Sequence, residues 1–228
     1  MSPFYEHLKD HKQDDLDYCL SNACIRGHLE LVKYLLTTKE LGLNADINSE
    51  KDAAFRIACQ KGHLDIIKYL LTSPELVKHS NISAKDNEGL QWAACHGHFE
   101  VVKYLMTSRD LKEHAKIGNN YCNALTMTCS SGHINILDYF LNQEKIDIHI
   151  FNDSAFVSAC NNKQYDLLEY LIFDYNISKT KFIVEHLQNK PDIQVEKMLT
   201  SRDSARDLSK ELQNSLLLNK SKKSKIKL

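Results

Sequence analysis

The chain has few of the features that mark nucleic-acid-binding, membrane-spanning or nucleotide-hydrolysing proteins. Its 228 residues carry a formal net charge of −1, so overall charge favours neither nucleic acid nor an anionic membrane surface. Only seven glycines are present, with no glycine-rich phosphate loop and no Gly-x-Ser-x-Gly sequence. No stretch approaches the roughly 18 apolar residues of a transmembrane helix, and residues 1–7 do not begin a signal peptide. We therefore expect a cytoplasmic protein.

The seven cysteines form an odd set, and none of them belongs to a Cys-x-x-Cys pair. Cys24, Cys59, Cys129 and Cys160 each lie three residues before the start of a repeated sequence described below. In a further copy of that sequence, Ala94 occupies the same position. Since alanine replaces cysteine there, we expect small buried packing residues rather than disulfides or metal ligands, which favours a reducing compartment.

A ten-residue pattern recurs along the chain. Residues 27–36 read GHLELVKYLL, residues 62–71 GHLDIIKYLL, residues 97–106 GHFEVVKYLM and residues 132–141 GHINILDYFL, so these copies begin 35 residues apart. An eroded copy, KQYDLLEYLI, spans residues 163–172 and begins 31 residues after the fourth. A fixed period in this range is typical of a stacked array, in which each unit buries its apolar face against its neighbours.

Each unit of the array predicts two short helices. In the second copy, the first helix covers residues 53–60 and ends before Gly62, a residue suited to the left-handed backbone that closes helices. The second helix places Leu64, Ile67 and Leu70 on one side at helical spacing. Polar, turn-forming segments join the units. The sequence thus predicts an all-α solenoid of stacked helix-turn-helix units with hairpin-like loops and a helical C-terminal extension.

The repeated pattern, Ala-(Ala/Cys)-x-x-Gly-His followed at helical spacing by Tyr-Leu-Leu, resembles the ankyrin repeat. Residues 45–48 and 84–89 likewise resemble the hairpin segment that follows the second ankyrin helix. The resemblance covers about five repeats over residues 17–178. The Tyr-Leu-Leu-Thr-Ser segments are similar in style to ankyrin proteins of intracellular bacteria and large DNA viruses.

Two departures from the ankyrin pattern lead to structural expectations. The family's Thr-Pro-Leu-His sequence, whose Thr and His link neighbouring repeats by hydrogen bonds, is absent from residues 53–56, 89–91 and 123–126. We therefore expect this array to rely more on apolar packing. The period also exceeds the usual value of about 33. Residues 72–76 and 107–111 are accordingly expected to lengthen the second helix or its exit.

The extent of the period predicts how the chain is divided. We expect an N-terminal capping helix over residues 1–16, the repeat array over residues 17–178, a helical C-terminal cap over residues 179–218 and a disordered basic tail over residues 219–228. The tail contains five lysines and no acid. Its alternatives are a nuclear import signal, part of an export signal, or a weak contact with an anionic surface.

The ankyrin resemblance implies where a partner protein would bind. In that family, the two residues before the turn glycine and a first-helix position four residues earlier line a concave groove. By register, the partner-binding positions here are Arg26, Arg56, Gln60, Lys61, Gln91, His96, Thr126, Ser130, Ser131, Asn161 and Asn162, with Ile25 and Cys95 beside them. Trp92, the only tryptophan, is expected to be buried between repeats instead.

Histidine and cysteine are frequent, but their pattern does not predict a catalytic or metal site. A histidine follows the turn glycine in each of the four clear copies, where the resemblance implies a structural role. The densest group, Cys-His-Gly-His at residues 95–98, lacks a second cluster that could complete a tetrahedral zinc site. Cys122 is expected in a loop, with a reactive thiol as the sharper alternative.

We therefore predict a non-catalytic module that binds another protein in its concave groove and needs no cofactor, metal ion or small-molecule substrate. The chain is expected to be a monomer. A bacterial effector that acts on a host protein in the host cytosol is one form of this function. The alternative is an enzyme or regulator with a small activity in the C-terminal extension, where residues 176–228 contain His186 and no cysteine.

Overall fold

The computed structural model of the protein describes residues 12–38, 43–117, 121–144, 150–175, 177 and 180–207. Within these residues every regular element is helical, which confirms the all-α solenoid. Paired first and second helices form units 1 to 5, with the bounds α1 Gln13–Arg26 and α2 Leu29–Thr37, α3 Ser49–Lys61 and α4 Leu64–Thr72, α5 Ala84–Cys95 and α6 Phe99–Thr107, α7 Tyr121–Ser131 and α8 Ile134–Glu144, α9 Ile150–Asn161 and α10 Tyr165–Glu169. After them come a π-helical turn, Tyr170–Asp174, then α11, Lys181–Asn189, and α12, residues 193–207.

A left-handed residue joins the two helices of each unit. The four turn glycines have φ values from +73° to +78°, a region that glycine enters freely because it has no Cβ. In unit 5, Lys163 takes this place with a φ of +56°. The next unit also closes the space around the turn, since a Cβ added to Gly62 would lie 2.4 Å from Nδ1 of His98. The turn position therefore serves both the chain reversal and the contact between units.

The first helices of successive units pack closely along the array, whereas the second helices contact one another more sparsely. Small side chains account for the difference, because Ala54, Ala58, Ala93 and Ala94 are buried on the first helices and let their backbones approach. Second helices bury larger residues such as Leu70. Closer packing on one side curves a solenoid toward that side, so the first helices form the concave face.

Three consecutive residues with left-handed backbone interrupt α3 and α5 near their starts. Residues 50–52 have φ values of 49°, 56° and 60°, and residues 85–87 have values of 48°, 57° and 64°. None of the six is glycine, and this conformation costs other residues about 1–2 kcal/mol each. Such turns persist only where surrounding hydrogen bonds hold them.

Polar contacts also link successive units at these turns. Oδ1 of Asp17 accepts the backbone N–H of Asp46 at 2.7 Å, and one unit later Oδ1 of Asp52 accepts that of Asn81 at 2.9 Å. In unit 3, Oδ1 of Asn87 accepts the backbone N–H of Lys116 at 3.2 Å. One acid or amide in each of units 1 to 3 thus contacts the segment that leads to the next unit. These bonds accompany a continuous apolar core, and the greater reliance on apolar packing stays a prediction.

The long period lengthens the exit of the second helix and not the helix itself. Both α4 and α6 end after nine residues, at Thr72 and Thr107. The extra residues then return along the helix that they have left. The backbone N–H of Ser80 donates to the carbonyl of Leu70 at 3.0 Å, and that of Ala115 bonds the same way one unit later. The sequence predicted either a longer second helix or a longer exit from it, and the structure shows the longer exit.

The ends of the array differ in part from the predicted boundaries. Helix α1 begins at Gln13, so residues 13–16, assigned above to a separate cap, start the first helix of unit 1. Residues 1–11 lie outside the described part of the chain, as do residues 208–228 with the predicted tail and the end of the cap. Helix α11 packs against α9, and α12 runs unbroken from residue 193 to residue 207.

Candidate partner-binding groove

The first helices share one pattern of burial, which defines the face that they turn outward. In α3 the buried apolar residues are two adjacent pairs, Ala54–Phe55 and Ala58–Cys59, and the equivalent pairs are buried in α5, α7 and α9. Residues 56, 57 and 60 then lie on the opposite side of the helix, because successive residues are about 100° apart. Side by side, these outward faces make up the concave surface of the array.

The partner-binding positions expected from the sequence all lie on this surface or at its border. The exposed members stand at the C-terminal ends of first helices and are Ile25, Arg26, Lys61, His96, Asn161 and Asn162. The half-buried members are Arg56, Gln60, Gln91, Cys95, Thr126, Ser130 and Ser131. We call the two residues before the left-handed turn position of each unit the groove edge: Ile25, Arg26, Gln60, Lys61, Cys95, His96, Ser130, Ser131, Asn161 and Asn162.

Arg56 and Gln91 lie on the concave face but use their polar groups within the protein. Nε of Arg56 donates to the carbonyl of Lys51 at 3.1 Å, while Nη1 pairs with a carboxylate oxygen of Glu88 at 2.5 Å. Nε2 of Gln91 donates to the carbonyl of Asp86 at 2.9 Å. Each side chain therefore holds a left-handed turn five residues earlier in the chain. Sequence reasoning missed this role, because no glycine marks these turns as left-handed backbone.

Side chains from the following unit hold the backbone of the groove edge. Nε2 of His98 donates to the carbonyl of Gln60 at 2.9 Å, and His133 makes the same bond one unit later at 3.0 Å. In unit 5, Gln164 replaces the histidine, and its Nε2 donates to the carbonyl of Ser130 at 3.0 Å. These bonds show the structural role that the resemblance implied for the repeated histidine. They also fix the groove edge before any partner arrives.

Trp92 is half-buried on the concave face, which corrects the expectation that it would be buried between repeats. Residues 93 and 94 form the buried pair of α5, so helical geometry turns Trp92 outward. Ile57 and Met127 occupy the equivalent positions of α3 and α7 and are also half-buried. We call these three side chains the apolar ridge. The ring centroid of Trp92 lies 5.6 Å from that of His96, which connects the ridge with the groove edge.

The groove edge changes in character along the array. In unit 5, Oδ1 of Asn161 accepts a hydrogen bond from Nζ of Lys190 at 2.7 Å, and Nδ2 of Asn162 donates to a carbonyl of its own helix. In units 1 and 2, Arg26 and Lys61 are exposed, and neither makes an ion pair with another described residue. The free cations therefore lie at the N-terminal end of the groove edge.

Cys24, Cys59, Cys129 and Cys160, which we call the core thiols, are buried as the sequence predicted. Burial raises the pKa of Cys24, Cys129 and Cys160 from the ordinary value of 9.0 to about 12. It also raises the pKa of Cys59 well above that value. Near neutral pH these groups are protonated and serve as packing residues. Cys122 lies in α7, which corrects its expected placement in a loop.

Two further features concern metal ions and membranes. Among the described residues, no group of three or more His, Cys, Asp or Glu side chains is arranged to hold a metal ion. The helices in this part of the chain also include none with both the length and the apolar character needed to cross a membrane.

The comparisons with known proteins agree with the repeat architecture. A comparison with curated proteins finds no match. A family model described as Ankyrin repeats (3 copies) matches residues 4–86 and again residues 90–182. Proteins built from ankyrin repeats are in general non-catalytic modules that bind other proteins. With its helix pairs, turn glycines and two family matches over most of its length, the chain belongs to the ankyrin-repeat family.

Proposed function

We propose that this protein binds a segment or domain of another protein along its concave face and acts without chemistry of its own. The observation that carries the proposal is the apolar ridge beside the groove edge. Ile57, Trp92 and Met127 are half-buried on three adjacent first helices, and a partner that covered them would remove further apolar area from water. Tryptophan is also enriched among the residues that dominate binding energy in interfaces.

The surface around the ridge suits recognition because it is already ordered. The carbonyls of Gln60 and Ser130 at the groove edge are bound by side chains of the next unit. The turns at the other border are held by Arg56 and Gln91. A rigid surface loses little conformational entropy on binding, so more of the contact energy appears as affinity. Occupation of the groove is enough to scaffold or inhibit a partner.

A quantitative pull-down tests the proposal. The wild-type chain, a groove variant and a matched control variant are immobilised, and proteins captured from a eukaryotic cell lysate are compared by mass spectrometry. The groove variant combines Lys61→Ala, Trp92→Ala and His96→Ala. The control combines Glu100→Ala and Lys103→Ala, two exposed positions on the second helix α6. Circular dichroism and thermal unfolding establish that all three chains fold.

We expect one partner to be retained by the wild type and by the control variant, and to be lost by the folded groove variant. A partner that all three chains retain would move the binding site away from the concave face. Capture of no protein that distinguishes the variants would contradict a groove-binding function. The choice of a eukaryotic lysate also tests the finer proposal that the chain is an effector of host proteins.

The same proposal assigns the protein to the cytoplasm. The core thiols support this assignment, because their role in packing requires free cysteines, and a reducing compartment keeps thiols unoxidised. Fractionation of the source cells, followed by immunoblotting, checks the assignment. Recovery of the folded chain in an oxidising compartment would contradict it.

A further inference from the structure

The groove edge carries positive charge in the first two units. Arg26 ends α1 and Lys61 ends α3, at equivalent positions one unit apart, and both are exposed. Neither is ion-paired within the described residues. At the equivalent positions of the other units stand His96, Ser131 and Asn162. The two free cations are therefore grouped at one end of the groove and not spread along it.

The acids on neighbouring elements are already occupied or lie elsewhere. Glu88 faces the groove, but Arg56 pairs with it, and their side chains are only 26% and 13% exposed. On the second helices, Glu30 pairs with Lys33 at 2.8 Å. Asp65 lies in the first turn of the second helix α4, where its Oδ1 accepts the backbone N–H of Ile66 at 2.8 Å. No described carboxylate therefore neutralises the two cations at the groove edge.

The opposite border of the groove is balanced in charge. The left-handed turns there expose one acid and one base each, with Glu50 and Lys51 in unit 2 and Lys85 and Asp86 in unit 3. In unit 1, α1 instead carries acids in its first turn. That turn lies about 18 Å along the helix from Arg26, because an α-helix rises 1.5 Å per residue. This separation exceeds the Debye length of about 8 Å at physiological salt, so the acids are screened from the cation.

Helix stability does not explain the two cations. A base in the last turn of a helix interacts favourably with the helix dipole. However, α5, α7 and α9 have no basic residue in their last turns, and they pack in the same array. Since the fold forms these helix ends without a charge, the cations of units 1 and 2 are free to serve recognition.

The cations border apolar surface. Ile25 precedes Arg26 and is 44% exposed, while Ile57 of the apolar ridge lies one turn before Lys61 on the same helix. Trp92 continues the ridge into unit 3. A complementary partner needs apolar side chains along one side and negative charge along the other. We propose that the groove recognises an acidic, amphipathic peptide segment, and that Arg26 and Lys61 pair with its carboxylates.

This inference rests on the proposed groove-binding function and adds the chemistry of the partner. It also predicts the spacing of the acids. Packed helices lie about 8–10 Å apart, so the cations of successive units are separated by about that distance. In a polyproline II segment, which has three residues per turn and rises about 3.1 Å per residue, this corresponds to carboxylates three residues apart on one face. Apolar residues between them would face the ridge.

Selection from a peptide library tests the inference on the full chain. The probe is a phage library of random peptides of about 16 residues, which span about 50 Å when extended and so cross the five units. Selection is carried out on the wild type and on the double variant Arg26→Glu, Lys61→Glu. The control, Lys103→Glu with Lys197→Glu, has the same change in net charge at exposed positions outside the groove. Circular dichroism verifies folding of each chain.

We expect the wild-type pool to gain Asp and Glu relative to the input library. Peptides from that pool should bind the Arg26→Glu, Lys61→Glu variant roughly tenfold more weakly, because two ion pairs become repulsive contacts. The control should bind like the wild type. Both variants keep the lysine tail, so binding of acidic peptides to that tail would survive the groove change and overturn the inference.

A further arm separates this inference from the proposed function. The variant Trp92→Ala alters the apolar ridge and leaves both cations in place. If the selected peptides bind Trp92→Ala more weakly but contain no excess of Asp and Glu, the groove-binding function is supported and the inferred preference for acidic peptides is wrong. If acidic peptides bind Trp92→Ala as well as wild type, the groove itself is not the site. Selection that enriches no peptide also overturns the inference.

Discussion

The sharpest test of how the units are held together is the substitution Asp52→Ala. Asp52 is only 6% exposed, and its Oδ1 accepts two hydrogen bonds, from the backbone N–H of Asn81 at 2.9 Å and from Nδ2 of Asn48 at 2.7 Å. The first bond joins unit 2 to the exit that follows it. The residue also has a φ of +60° in the left-handed turn, a conformation that Asp tolerates better than Ala.

We expect Asp52→Ala to lower the free energy of unfolding by about 3 kcal/mol. About 2 kcal/mol follows from the two lost bonds to a carboxylate, reduced because water reaches Asn81, which is exposed. About 1 kcal/mol more follows from alanine in left-handed backbone. In urea, where the slope is about 1–3 kcal/mol per molar, the midpoint should fall by at least about 1 M.

Urea unfolding followed by two probes measures the effect. Circular dichroism reports on all helices, while fluorescence of Trp92, the only tryptophan, reports on unit 3. Because neighbouring units stabilise each other in such arrays, damage at Asp52 should lower both midpoints. If the midpoint followed by circular dichroism fell while the midpoint followed by Trp92 fluorescence did not, units 2 and 3 would not be coupled through this turn.

The matched control is Asp52→Asn. In unit 3 the equivalent residue is Asn87, which has a φ of +64° and accepts the N–H of Lys116 at 3.2 Å. An amide oxygen can accept both bonds made to Asp52, so this variant should lose less than about 1 kcal/mol. Two results would refute the reasoning: a cost for Asp52→Ala below about 0.5 kcal/mol, or equal costs for the two variants.

Four further predictions concern the turns and the core thiols. Gly62→Ala should lower the free energy of unfolding measured in urea by about 3 kcal/mol, because Gly62 has a φ of +78° and the new Cβ would clash with His98. An unchanged urea midpoint would contradict this prediction. Lys163→Gly should raise the free energy of unfolding by about 1 kcal/mol, because glycine adopts the φ of +56° at this position without strain. A lower urea midpoint would contradict this prediction. The core thiols should resist iodoacetamide at pH 8 while half-buried Cys95 reacts, as peptide mapping can show. Burial raises the pKa of Cys24, Cys129 and Cys160 from 9.0 to about 12. The contribution of these protonated thiols to the free energy of unfolding should therefore be full below pH 9 and be lost between pH 9 and 12. A melting temperature that rises over this range would refute the assignment of these thiols as buried packing residues.

Local sequence patterns predicted much of the fold and the position of the candidate site. The spacing of Leu64, Ile67 and Leu70 predicted α4, and Gly62 predicted the end of the helix before it; both are confirmed. Each depends on residues within one or two helical turns, where spacing alone sets geometry. The groove-edge positions followed from the same register, although binding there remains a proposal.

Other features of the site could not be read from residue types. Arg56 was predicted to meet a partner, but it bonds to Glu88 of the next unit and to carbonyls of a left-handed turn that no glycine marks in the sequence. Trp92 was expected to be buried because it occupies the repeat position of the apolar residues Ile57 and Met127. Its actual exposure depends on which two neighbours the adjacent helices cover, here residues 93 and 94.

By itself, the sequence determined the repeat, the helix pairs, the turns that close the first helices and the burial of the core thiols. These follow from contacts between near neighbours in the chain, repeated at a constant period. Tertiary structure alone decided how the units are linked, as in the bond from Asn81 to Asp52 across 29 residues, and which faces remain open to a partner. Such features depend on the distance and orientation between separate helices. The spacing of residues within one helix does not determine that distance.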